Sequence, residues 1–119
     1  MRRVLVVVDM QNDFVAEKGA LSSEAARAIL PFVQGKVQAA LAAGEEVVFT
    51  LDSHQEDDAE FAKFPPHCLE GSWGQQLVPE LKAVLPRDTA GRAHFVKKSR
   101  YSGFHQTDLA QYLGLTADA

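Results

Sequence analysis

The sequence has little of three features that would each indicate a particular class of protein. It contains one cysteine, Cys68, so its 119 residues cannot form an internal disulfide, and this suits a reducing compartment, here the cytoplasm. No apolar run approaches the roughly 20 residues of a membrane-spanning helix, so no membrane partner is expected. Its 12 basic residues form no cluster and are outnumbered by 16 acidic ones, which argues against nucleic acid as a partner.

Strand-like and helix-like patterns alternate along the chain. Val4–Val8 is a continuous apolar run of the kind found in buried parallel strands, and 46–52 and 93–98 have similar character. Between the first two, apolar residues at helical spacing follow Ser22–Ser23, and Pro31 within them predicts a kink or two abutting helices. Shorter helices are predicted over 76–85 and 107–113. The alternation predicts a three-layer α/β fold with a parallel sheet and a single domain over 1–119.

Charged residues end all three predicted strands. Asp9, Asp52 and Lys98 each lie at or just past a strand terminus. Ligands of open parallel sheets bind beyond the carboxyl ends of the strands, so these side chains are predicted to converge on one pocket. An acid paired with a lysine in a dry cleft would stay ionised and could accept a proton. The alternative for each aspartate alone is a turn-capping role.

The loop after the second strand contains a candidate metal site. Two imidazoles and two carboxylates lie there, which is a ligand set suited to Zn²⁺, with Mn²⁺ and Fe²⁺ as further possibilities. The four candidate ligands are Asp52, His54, Glu60 and His67. The alternative is a solvated acidic loop, because Glu56, Asp57 and Asp58 are close by in the sequence.

Four stretches of the chain together resemble the nicotinamidase branch of the isochorismatase-like cysteine hydrolases. They are VVVDMQNDF at the first strand, LDSH at the second, FPPHC in the loop and KSRYSGF after the third. The resemblance implies a doubly wound parallel sheet in which the first strand is central. It also implies that Asp9 is the general base and that Lys98, not Lys97, is the lysine of a catalytic Asp–Lys–Cys triad.

The resemblance also implies a substrate and a metal. Metal-binding members of that family use the pattern that Asp52, His54, Glu60 and His67 match, and the metal anchors the pyridine nitrogen of nicotinamide. Phe14 and Phe64 match the aromatic residues that stack on the ring, with core packing as their alternative role. The implied reaction is hydrolysis of nicotinamide to nicotinate and ammonia through a cysteine thioester.

The family's nucleophile segment, after a fourth strand, is not found in these residues. Cys68 follows His67 directly and corresponds to a cysteine that is not the nucleophile, so we expect the nucleophile beyond Ala119, in a longer polypeptide. Without a fourth strand the apolar edge of Val4–Val8 would be open to pairing, which also predicts a homo-oligomer. The alternatives are a hydrolase of another small amide or ester, or a non-catalytic binding or assembly module of the same fold.

Overall fold

Three parallel strands form the centre of the protein, in a computed structural model that describes residues 2–88 and 91–115. The strands are β1 (Val4–Val8), β2 (Glu46–Asp52) and β3 (Ala93–Lys98), in the order β1-β2-β3. The α-helices are α1 (Asn12–Val15), α2 (Glu24–Ala42), α3 (Pro79–Lys82) and α4 (Leu109–Tyr112), with 3-10 helices at Ala59–Ala62 and Leu85–Arg87. The predicted parallel α/β sheet with flanking helices is therefore confirmed.

The register of the strands brings their carboxyl ends level with one another. Val8 of β1 pairs with Thr50 of β2, and Asp52 at the end of β2 pairs with Lys98 at the end of β3. The backbone N–H of Asp9 continues the ladder by donating to the Thr50 carbonyl oxygen at 3.1 Å. The residues that follow the three strands therefore meet at one edge of the sheet.

Helices cover both faces of the sheet, because side chains alternate along each strand. Val47 and Phe49 of β2 lie in the core cluster that includes Val37 and Leu41 of α2. Val48 points the other way, into a smaller cluster with Val96 and Leu109 of α4. Val47, Val48 and Phe49 are fully buried, and burial stabilises the fold by roughly 1.5–3 kcal/mol for each such side chain. The arrangement has three layers.

Helix α2 runs without interruption through Pro31, where the sequence predicted a kink or two abutting helices. The Ser23 side chain caps its first turn by accepting a hydrogen bond from the Ala26 N–H. Leu30, Val37 and Leu41 are buried along one side of the helix. We attribute the continuity to this packed stripe, which offsets the hydrogen bond that proline cannot donate.

The helix predicted over 76–85 is shorter than expected. Only Pro79–Lys82 is α-helical, because the preceding residues pair with the segment that leaves β1. The Asn12 N–H donates to the Gln76 carbonyl oxygen, and the Val78 N–H donates to that of Met10. This extended pairing buries Leu77 and Val78 and leaves Pro79 as the first residue that can start the helix.

At the outer edge of the sheet, β1 pairs with β2 alone among the residues that the structure describes. Val8 is 56% exposed there, and Phe32 of α2 beside it is 67% exposed. Within the described ranges, no helix combines the length and apolar character that crossing a bilayer requires.

Candidate functional site

The ends of the three strands bring Asp9, Asp52 and Lys98 into contact. The Lys98 amine lies 3.1 Å from one carboxylate oxygen of Asp9 and 3.5 Å from Oδ1 of Asp52. The lysine is only 4% exposed, so this cation is held almost entirely by protein groups. The structure thus brings together the three strand-end residues that the sequence analysis singled out, while their chemical roles remain predictions.

Asp9 leaves β1 in a left-handed backbone conformation, with φ of 57°. Aspartate tolerates this region better than most residues, and such strain is often found at functional positions. Burial raises the pKa of the Asp9 carboxyl, and the Lys98 cation opposes this only in part, while the charges of Asp52 and Glu60 add to the increase. A raised pKa makes Asp9 a stronger base than an exposed aspartate.

The four predicted metal ligands form one cluster beside this pair. One ligand atom from each of Asp52, His54, Glu60 and His67 lies within 4.8 Å of the others. Nε2 of His54 is 2.7 Å from Oδ2 of Asp52 and 3.1 Å from Oε2 of Glu60. Nε2 of His67 is 3.4 Å from the same Asp52 oxygen. Two imidazole nitrogens and two carboxylates facing one point fit a divalent cation such as Zn²⁺.

Hydrogen bonds to the Nδ1 atoms, on the side away from the cluster, fix the orientation of both imidazole rings. Nδ1 of His67 donates to the Pro65 carbonyl oxygen at 2.8 Å, and Nδ1 of His54 donates to the Asp58 carboxylate at 2.8 Å. Because these partners are acceptors, Nδ1 of each ring carries hydrogen, and Nε2 is turned toward the cluster as the atom that a metal ion would take. Burial lowers the pKa of His54, but its hydrogen bonds to Asp58 and Asp52 outweigh this and the pKa is raised.

A pocket of about 290 Å³ opens in front of these groups. Its apolar walls include Phe14, Phe64 and Tyr101, and the rings of Phe14 and Phe64 lie 5.7 Å and 6.3 Å from that of His67. The chemically active part of its lining consists of Asp9, Asp52, Glu60, His67 and Lys98. The pocket therefore has the size and character to place a flat, partly apolar small molecule against an acid–lysine pair and a metal-ligand cluster.

The sequence analysis assigned no role to several residues of the site. Gln11 is fully buried, and its amide exchanges two 2.8 Å hydrogen bonds with the backbone of Asp52. The ring of Phe61 lies 5.5 Å from those of both His54 and His67. Asp58 was interpreted as part of an acidic loop, and Tyr101 was given no role. The roles of these side chains depend on neighbours that only folding supplies.

Cys68 lies outside the pocket lining. Its side chain is fully buried, and the thiol points toward the Gly74 carbonyl oxygen at 3.8 Å. Burial raises the pKa of the Cys68 thiol, and the charges of Asp52, Asp13 and Asp9 act in the same direction. A thiol in this environment is a poor nucleophile, because the reactive species is the thiolate.

A parallel α/β sheet with these groups at its carboxyl edge is typical of the class of proteins that bind small molecules in that position. The sequence profile of the Isochorismatase domain matches residues 3–116, and the chain belongs to this family. The family's nicotinamidase and amidase members make it a family of hydrolases.

Three relatives illustrate the similarity. The isochorismatase family protein PncA of Bacillus subtilis is 33% identical over 114 residues, which cover 92% of this chain and 62% of that protein. Its crystal structure, described as a nicotinamidase/pyrazinamidase, has a TM-score of 0.87 at 38% identity and covers 96% of this chain and 65% of the other.

The second is the pyrazinamidase of Pyrococcus horikoshii in complex with zinc, with a TM-score of 0.78, 31% identity and coverage of 93% and 63%. The third is N-carbamoylsarcosine amidase of Thermoplasma acidophilum, with a TM-score of 0.80, 29% identity and coverage of 96% and 61%. The chain thus spans somewhat less than two thirds of the length of these relatives.

Proposed function

We infer that this protein is a metal-dependent amidohydrolase that converts nicotinamide, or a related small carboxamide, to the acid and ammonia. The observation that carries the inference is that the Asp9–Lys98 pair shares one aromatic-walled pocket with Asp52, Glu60 and His67, which form the candidate metal cluster together with His54 behind them. The Bacillus subtilis relative is described as acting on nicotinamide and pyrazinamide, which are both carboxamides of flat nitrogen heterocycles. The dimensions of the pocket suit such a ring.

In the proposed mechanism Asp9 acts as the general base. It accepts the proton of a cysteine thiol, and the resulting thiolate attacks the carboxamide carbon. The proton then passes to the departing nitrogen, which leaves as ammonia, and water cleaves the thioester to release the acid. Lys98, 3.1 Å from Asp9, stabilises the carboxylate form of the base between proton transfers. We propose that the cysteine comes from a segment beyond Ala119, since Cys68 is buried away from the pocket.

The aromatic walls and the metal-ligand cluster serve substrate placement in this proposal. Phe14 and Phe64 hold the two faces of the heterocycle, which orients its carboxamide toward Asp9 and Lys98. The metal ligands would be Asp52, His54, Glu60 and His67, and a divalent cation bound there would supply a Lewis acid for the ring nitrogen.

An amidohydrolase for a non-aromatic substrate is the second candidate, and the likeness to N-carbamoylsarcosine amidase favours it. The two candidates are separated by measuring ammonia release from nicotinamide, pyrazinamide and N-carbamoylsarcosine with the complete, zinc-loaded protein. Turnover of the two heterocyclic amides supports the proposal. Turnover of N-carbamoylsarcosine alone supports the second candidate, and no ammonia from any of the three would indicate a non-catalytic binding module.

The role of Asp9 is tested in the same assay. Asp9→Asn keeps the shape of the side chain but cannot accept the thiol proton, so we expect a loss of turnover of roughly 10²-fold or more. The exposed Asp57 provides a matched control, since Asp57→Asn makes the same chemical change away from the pocket lining. Full activity in the Asp9 variant would remove this residue from the mechanism.

A further inference from the structure

Asp58 is not one of the four candidate metal ligands, yet it contacts two of them. Its Oδ2 accepts a hydrogen bond from Nδ1 of His54 at 2.8 Å. Its Oδ1 accepts a hydrogen bond from the backbone N–H of Glu60 at 2.9 Å. One carboxylate therefore holds the ring of one ligand and the main chain of another.

The position of Asp58 gives it little freedom to turn away. It is the N-cap of the 3-10 helix Ala59–Ala62, and its side chain is only 10% exposed. The Arg100 guanidinium lies 3.8 Å from Oδ2, and the Arg100 carbonyl oxygen accepts a hydrogen bond from the Lys98 amine at 3.1 Å. The loop after β3 thus approaches both the acid–lysine pair and the carboxylate that supports the metal ligands.

We propose that Asp58 is a positioning residue that sets the ring orientation of His54 for metal binding and holds Glu60 toward the same point. This inference rests on the proposed function, because it assumes that the cluster binds a divalent cation. Because the Asp58 carboxylate accepts from Nδ1 of His54, the ring is turned so that Nε2 faces Asp52 and Glu60 and is the atom that a metal ion would take.

The second imidazole provides an internal comparison. Nδ1 of His67 donates to the backbone carbonyl oxygen of Pro65, which no side-chain substitution at Asp58 removes. A change at Asp58 should therefore alter the ring of His54 and leave that of His67 as it was. A general loosening of the loop would instead affect both rings.

The test compares Asp58→Asn with Asp57→Asn in the complete protein. The asparagine oxygen can still cap the Glu60 N–H, while its NH₂ group then faces Nδ1 of His54 and favours the tautomer with hydrogen on Nε2. We expect Zn²⁺ affinity, measured by chelator competition, to fall about 10- to 100-fold in Asp58→Asn. Asp57→Asn should stay within about twofold of the unmodified protein, since Asp57 is exposed and contributes no ligand atom to the cluster.

Nitrogen-15 NMR of the imidazoles gives a readout that does not depend on activity. In the zinc-free protein, Nδ1 of His54 should carry hydrogen in the unmodified chain and lose it in Asp58→Asn, and His67 should not change. If Asp58→Asn fails to fold, Asp58→Ser replaces it. A serine hydroxyl still caps the helix but is too short to support the His54 ring, so the same loss of affinity is expected.

Each outcome decides a different question. Zinc binding by the unmodified protein that is weakened in the Asp58 variants, with hydrogen lost from Nδ1 of His54 in Asp58→Asn, supports the proposal. Equal zinc affinity in Asp58→Asn, or a His54 Nδ1 that keeps its hydrogen there, would overturn it and leave the proposed function standing. No zinc binding by the unmodified protein would overturn the metal site itself, and the inference with it.

Discussion

The amine of Lys98 lies 3.1 Å from a carboxylate oxygen of Asp9, although 89 positions separate the two residues in the chain. The parallel register of the sheet brings them together, since β1 and β3 end level on either side of β2. The lysine amine is also 3.5 Å from a carboxylate oxygen of Asp52, which is one of the four candidate metal ligands. The proposed general base and the candidate metal ligands are therefore joined through one lysine.

The first prediction concerns the pH dependence of stability. Burial raises the pKa of Asp9 above its ordinary value of 3.8, so the folded protein binds this proton more tightly than the unfolded chain does. The protonated form then contributes stability at low pH that is lost as the pH rises through the raised pKa. Asp9→Asn should remove this dependence and leave the protein at least as stable as the original at neutral pH.

Urea unfolding between about pH 4 and pH 8 checks this prediction. Lys98 keeps Asp52 as a partner in the variant, so no cation is left alone. Asp57→Asn should retain the original pH dependence. A clear loss of stability in Asp9→Asn at neutral pH would show that the ion pair with Lys98 outweighs the cost of burying Asp9.

The second prediction is that Cys68 is chemically inert in the folded protein. Its thiol is fully buried and its pKa is raised, so native alkylation should be slower than alkylation in denaturant by several orders of magnitude. Mass spectrometry after timed exposure to iodoacetamide measures both rates. Cys68→Ala should retain turnover in the complete protein within a few-fold. Loss of turnover with an intact fold would make Cys68 a candidate nucleophile.

Sequence patterns predicted most of the sheet for a clear physical reason. Val4–Val8 and 46–52 are apolar runs typical of parallel strands, and an aspartate closes each one, Asp9 after the first and Asp52 at the end of the second. The strand ends then fix where Asp9, Asp52 and Lys98 lie. Local sequence was enough because the parallel sheet brings its strand ends to one edge.

Supporting residues could not be predicted in this way. Gln11 and Asp58 are polar residues next to turns, and nothing in their local sequence shows which distant backbone or ring they contact. The helix predicted over 76–85 was too long for a similar reason. Its apolar spacing fits a helix, but Leu77 instead pairs with Gln11 after β1, which is a long-range contact. The sequence also did not predict that α2 continues through Pro31, because this depends on packing against the core that offsets the lost hydrogen bond.

The third prediction contrasts two glycines. An added Cβ at Gly74 would overlap the carboxylate of Asp13, which accepts hydrogen bonds from the backbone N–H groups of Cys68 at 2.7 Å and Ala20 at 3.0 Å. Gly74→Ala should therefore lower the free energy of unfolding by about 2 kcal/mol or more, because Asp13 must give up these bonds.

The matched substitution is Gly35→Ala, measured in the same urea titrations. Gly35 lies inside α2, and an added Cβ there would have no neighbour within 4 Å. The variant should be more stable by about 0.5–1 kcal/mol, because alanine has the higher helix propensity. Equal effects of the two substitutions would show that the overlap at Gly74 is relieved without breaking the Asp13 hydrogen bonds.

The fourth prediction concerns Gln11, which joins the end of β1 to the end of β2. Its amide accepts from the Asp52 N–H and donates to the carbonyl oxygens of Asp52 and Gln75, all in the buried interior. Gln11→Ala should cost about 2–4 kcal/mol of unfolding free energy, because it leaves these backbone groups without partners. The exposed Gln55 serves as control, and Gln55→Ala should change stability by no more than about 0.5 kcal/mol.

Zinc affinity separates two explanations of such a loss. If Gln11 holds the backbone of Asp52 in place for the metal-ligand cluster, Gln11→Ala should bind Zn²⁺ more weakly even at temperatures where it is fully folded. If Gln11 only fills the core, the folded variant should bind Zn²⁺ as the original does. We expect the weaker binding, because the two hydrogen bonds of Gln11 act on the same residue whose carboxylate faces both imidazoles and Lys98.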